Sequence, residues 1–135
     1  MLAQHNPKAS TSVFVTFSGN CKKALTFYQS CFGGSLQLVP FEGVLQSYKE
    51  MPIVSGSLVS ARITIHGSDL VHNEGRRVGN YISIFFACEN ATERKKLIEK
   101  LAAHKATPFL SHDDNEKLIE LTDAFDVRWV LAVSD

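Results

Sequence analysis

Apolar and polar positions along the chain follow a pattern that runs twice. After a polar, aperiodic stretch of eleven residues, Val13-Phe14-Val15-Thr16-Phe17 is β-branched and aromatic, which predicts a strand. Ser18-Gly19 turns the chain, and Asn20 suits the N-cap of a helix. Cys21, Ala24, Leu25, Tyr28, Cys31 and Phe32 then recur at helical spacing and form one apolar face, which Gly33-Gly34 ends. Residues 35–41 predict a second strand. Residues 42–57, with Gly43, Pro52 and Gly56 among polar groups, read as a long connection. Residues 58–66 alternate and predict a strand, Gly67-Ser68 a turn, and residues 70–73 a short strand.

The pattern restarts after Glu74–Asn80, which holds two glycines and two arginines. Residues 81–88 (YISIFFAC) predict a strand, and Asn90 followed three positions later by Glu93 predicts a capping box. Leu97, Ile98, Leu101 and Ala102 give the next helix its apolar face. Residues 106–110, interrupted by Pro108, suit an edge strand. A turn at 111–115, a strand at 117–122 and a last strand at 127–133 complete the chain. Each half therefore reads strand, helix, three strands. The expected architecture is α+β: a tail over 1–11 and one domain over 12–135, built from tandem βαβββ modules at 12–74 and 80–134. A ferredoxin-like sandwich needs fewer strands and leaves either the 42–57 segment or the last hairpin unexplained.

Composition narrows the function. The 135 residues carry 14 Lys+Arg against 14 Asp+Glu, and this neutrality argues against a general nucleic-acid binder. No apolar run reaches the ~18–20 residues that span a bilayer. Residues 1–10 contain no apolar core of a secretory signal. Three cysteines without a C-x-x-C spacing read as reduced thiols of a cytoplasmic protein. There is no G-x-S-x-G to support nucleophilic catalysis and no glycine-rich phosphate loop, and no cofactor is expected.

The segments Val15-Thr16-Phe17-Ser18-Gly19-Asn20-Cys21, Ala24-Leu25-Thr26-Phe27-Tyr28 and Phe32-Gly33-Gly34 resemble the opening of PhnB-like proteins. Those belong to the glyoxalase/bleomycin-resistance/dioxygenase group, the vicinal oxygen chelate superfamily. Thr122-Asp123-Ala124-Phe125-Asp126-Val127-Arg128-Trp129 is similar to that family's closing D-P-F-G-x-x-W pattern, with Ala124 in place of Pro and Asp126 in place of Gly. Asp tolerates the left-handed conformation such a turn needs. The resemblance implies curled mixed sheets around a cavity, with a divalent metal in active members.

Carried over residue by residue, the metal-ligand positions fall on Val13, Tyr81 and Val130, with a fourth near Val71 or His72. Valine has no donor atom, and a neutral tyrosine is a poor ligand near pH 7. The implied metal site therefore reads as lost. By the family's register Val13, Val15 and Phe17, with Tyr81, Ser83 and Phe85, line the cavity together with Arg128 and Val130. Ile82, Ile84, Phe86 and Trp129 face the helices. The expected ligand contacts are Tyr81, Arg128, Arg62, His72, Phe17 and Phe85, a mostly apolar set suited to a small organic molecule. A filled core without ligand fits the same composition.

Other polar groups have plainer readings. His66, His72 and Glu74 could form a relocated metal site, but no second pair of donors accompanies them. His66 then reads as a surface residue at a hairpin. Ser111-His112-Asp113-Asp114 reads as a turn, Arg94-Lys95-Lys96 as a solvated helix face, and Arg76-Arg77 as a solubilising loop. The leading expectation is a metal-free superfamily member that binds a small molecule or is non-catalytic, as a homodimer. The alternative is a metal-dependent lyase, isomerase or dioxygenase of the glyoxalase type.

Overall fold

The computed structural model describes residues 11–42, 51–69, 78–105 and 115–133. It divides into two compact units, Met1–Arg76 and Arg77–Asp135. In unit 1, β1 (Val13–Phe17), α1 (Cys21–Phe32), β2 (Ser35–Pro40), β3 (Ile53–Val59) and β4 (Thr64–Asp69) form one βαβββ module. Its sheet A has the order β1-β4-β3-β2, with β1 parallel to β4 and the other pairs antiparallel. Unit 2 holds β5 (Ile84–Cys88), α2 (Ala91–Leu101), β6 (Leu118–Thr122) and β7 (Arg128–Val133). Its sheet B has the order β5-β7-β6, again with the first strand parallel to the last. Both sheets are mixed and the fold is α+β, as the sequence predicts. The strand expected over 106–110 lies outside the described residues, as does the one over 70–73.

One stretch corrects the sequence reading. Residues 53–59 form β3 rather than a connection, the turn falls at 60–63, and β4 runs straight through Gly67-Ser68. The misleading signal was glycine. Gly56 lies under α1, where an added Cβ would sit 2.7 Å from Leu25 Cδ1. At Gly67 it would sit 2.9 Å from Phe17 Cε2. Gly56 lets the covering helix approach β3, and Gly67 leaves room for the Phe17 ring of the neighbouring strand β1; neither breaks its strand. The real turn is closed by Ser60, whose hydroxyl donates to the Ile63 carbonyl at 2.7 Å while its backbone N–H donates to the same oxygen at 3.0 Å.

α1 seats Cys21, Ala24, Leu25 and Tyr28 on sheet A, and all four are fully buried. α2 does the same with Leu97, Ile98 and Leu101 against Phe86, Trp129 and Leu131. Each such side chain contributes about 1.5–3 kcal/mol of burial. The capping box forms as expected: Glu93 N–H donates to Asn90 Oδ1 at 2.8 Å, and Glu93 Oε1 accepts from Glu89 N–H at 2.9 Å. Asn20, by contrast, makes no side-chain cap. Asp69 Oδ1 takes its place, accepting from Gly19 N–H at 2.8 Å and Cys21 N–H at 2.9 Å. Arg94 is also corrected. It is buried, not solvated, and its Nη1 donates to the Lys117 and Leu131 carbonyls at 3.2 and 3.5 Å.

Candidate functional site

A helix covers one face of each sheet, so chemistry available to a ligand lies on the opposite, open face. In sheet A the contacts of Gly56 and Gly67 fix the covered face. Gly67 and the buried Ile65 and Asp69 share it, and through the register so do Val13, Val15 and Phe17. The face assignment of β1 is therefore the reverse of the one the resemblance suggested. Phe17 is a core residue with no exposed surface and lines no open face. The physical reason is local: Val13, Val15 and Phe17 are the apolar alternate positions of the strand, and Thr16 marks the solvent side.

The open face of sheet A carries Phe14 and Thr16 from β1 and Thr64, His66 and Ser68 from β4. β3 adds Ser55, Ser57 and Val59, and β2 adds Ser35, Gln37 and Val39. Phe14, His66, Ser57 and Gln37 fall in one row across the four strands. Phe14 is 63% exposed and His66 half-buried. His66 thus sits mid-strand, not at a hairpin.

In sheet B the expected register holds from Ile84 onward, whereas Ile82, expected to face the helix, precedes β5 and is 69% exposed. Ile84, Phe86, Trp129 and Leu131 share the covered face, while Phe85, Val130, Glu120 and Arg128 share the open one. Phe85 is 63% exposed and Leu118, on the same face, 55%. Arg128 Nη2 donates to Glu120 Oε1 in an ion pair, and the buried Arg128 Nε has no partner among the described residues.

The other expected contacts lie off the strands or outside the described residues. Tyr81 is 87% exposed and precedes β5 by three residues. Its partner strand begins only at Arg128, so the hairpin turn before it leaves residue 81 without a ladder position. Arg62 lies exposed in the β3–β4 turn. His72 and Glu74 lie outside the described residues, as do Arg76-Arg77 and 111–114. Among the described residues no three His, Cys, Asp or Glu side chains form a group that could hold a metal ion. No helix among them is long and apolar enough to cross a membrane.

The sequence reading assigned no role to two buried carboxylates, Asp69 and Asp123. Asp69 Oδ2 accepts from Ile53 N–H at 2.8 Å, in addition to its two bonds at the start of α1. Asp123 accepts from Phe125 N–H at 2.8 Å and Val127 N–H at 3.1 Å through Oδ1, and from the Trp129 indole N–H at 2.8 Å through Oδ2. The Asp and Trp of the closing motif are therefore structural partners. Asp126 takes φ 68°, the left-handed turn conformation its position requires. Cys21, buried beside Asp69, has its thiol pushed up to about 12 by burial and then by the neighbouring carboxylate, so it stays protonated.

No protein-family profile matches the chain, and no curated protein matches it in sequence. Solved structures do match in fold. Protein PA1353 from Pseudomonas aeruginosa is 22% identical over 93% of this chain and 98% of its own, with a TM-score of 0.73. The putative 3-demethylubiquinone-9 3-methyltransferase, PhnB protein, from Bacillus cereus is 22% identical over 93% of this chain and 100% of its own, with a TM-score of 0.69. The fosfomycin resistance protein FosX from Listeria monocytogenes, complexed with Mn(II) and sulfate, is 13% identical over 94% and 93%, with a TM-score of 0.56. The chain has the glyoxalase/bleomycin-resistance fold.

Proposed function

We propose that this protein binds a small organic molecule on the open faces of its sheets and does so without a metal such as the Mn(II) of FosX. One observation carries the reading: among the open-face side chains of β1, β4, β5 and β7, His66 alone is a His, Cys, Asp or Glu. A divalent ion in such a site needs three or more nitrogen, oxygen or sulfur ligands. Among the described residues no group of three His, Cys, Asp or Glu could hold an ion such as the Mn(II) of FosX. Exposed phenyl rings beside hydroxyl groups in unit 1, and beside an arginine in unit 2, suit an organic ligand instead. The exposed Phe14, Phe85 and Leu118 also support a homodimer that covers part of this apolar surface.

The test is a melting-temperature screen of small organic compounds run with and without EDTA. A compound should raise the melting temperature equally in both. A rise that requires added Mn(II) or Zn(II) contradicts the reading, and so does a screen with no shift. Light scattering checks the dimer, and a 15.0 kDa species at micromolar concentration refutes it.

A further inference from the structure

The two open faces differ in charge. Solvent-facing protein surface carries charged side chains at about a quarter to a third of its positions. The exposed sides of the helices follow that rule, with Lys22 and Lys23 on α1 and Lys95, Lys96, Glu99 and Lys100 on α2. The open face of sheet A departs from it. None of its positions is Asp, Glu, Lys or Arg, and six are Ser or Thr. A face kept only for solubility has no reason to avoid charge across four strands. A face that must be desolvated by a neutral partner does, because an unpaired charge buried by that partner costs several kcal/mol.

Resting on the small-molecule reading above, we infer that the open face of sheet A binds an uncharged, hydroxyl-bearing ring compound of the polyol or monosaccharide class. Ser57, Ser68, Thr16 and Thr64 can each donate and accept, which is the inventory that matches ligand hydroxyls in either direction. His66, in the middle of the row, offers one donor and one acceptor when neutral. Phe14 supplies an exposed ring on which the apolar face of such a molecule can lie. An anion finds no described cation on this face, whereas sheet B offers Arg128.

Amide NMR of the full-length, 15N-labelled chain tests this. The probes are methyl glucoside, myo-inositol and phenyl glucoside, with benzoate and inorganic phosphate as charged comparisons. The neutral probes should move the amide signals of Phe14, Ser57, His66 and Ser68 saturably. Ser57→Lys should weaken that binding about tenfold, equivalent to about 1.4 kcal/mol. Gln37→Lys, at the solvent edge of the same row, serves if Ser57→Lys fails to fold. Stronger shifts from benzoate or phosphate on this face overturn the inference, as do shifts that follow protein concentration alone and assign the face to a second copy. Shifts confined to Arg128 and Glu120 overturn it while leaving the small-molecule reading intact. No shift anywhere removes both.

Discussion

Each unit seats one carboxylate in its interior, and the two do different jobs. Asp69 reaches across the module. It ties the end of β4 to the start of α1, 48 and 50 residues away in sequence, and to the first residue of β3, 16 away. Asp123 works locally, closing the hairpin before β7 through partners two to six residues ahead. Unit 1 thus depends on a long-range clasp where unit 2 depends on a folded turn. Their open faces diverge in parallel, uncharged and hydroxyl-rich in one, ion-paired and apolar in the other. Two sheets that share a parallel first and last strand and one covering helix can hold different surfaces because the covered faces alone must be apolar.

The largest expected effect comes from breaking the clasps. Asp69→Ala leaves two buried N–H groups and one part-buried N–H group unpaired and should cost about 3–5 kcal/mol, lowering the melting temperature by roughly 10 °C or more. Asp123→Ala should cost less, about 2–4 kcal/mol, because its turn can rearrange locally. Denaturant unfolding of both variants checks the order, and equal losses would erase the distinction between the two units. Gly56→Ala comes next. A methyl 2.7 Å from Leu25 Cδ1 forces α1 away from the sheet, at about 1–3 kcal/mol.

A pH effect follows from Cys21. Its pKa rises from 9.0 to about 12 on folding, so the unfolded chain loses this proton first. The stabilisation is complete below pH 9 and is lost as pH rises towards 12. Cys21→Ala should flatten stability over that interval, read by unfolding at a series of alkaline pH values. The smallest effect belongs to the exposed ion pair: Glu120→Gln should change stability by under about 1 kcal/mol.

Much of the fold was legible in the sequence. Both helices, the first strand and the closing hairpin follow from periodicity, caps and the Asp123–Trp129 motif. β3 and β4 did not, because Gly56 and Gly67 carry the ordinary signature of turns and only the helix and Phe17 above them explain their presence. The open face of unit 1 was missed for another reason. The apolar alternation of Val13, Val15 and Phe17 points to the covered face, whereas the family register implies the opposite one. In unit 2 the strand IFFAC is apolar at every position, and there the register gave the right faces. Asp69 was beyond reach, since nothing near residue 69 announces partners at 19, 21 and 53.

Metal content of the purified protein tests the central claim most directly. Elemental analysis for Mn, Fe, Ni and Zn, after purification without chelators or metal-affinity resin, should find far less than one atom per chain. One atom per chain, lost on His66→Ala or His72→Ala, would contradict the account and restore a metal-dependent enzyme.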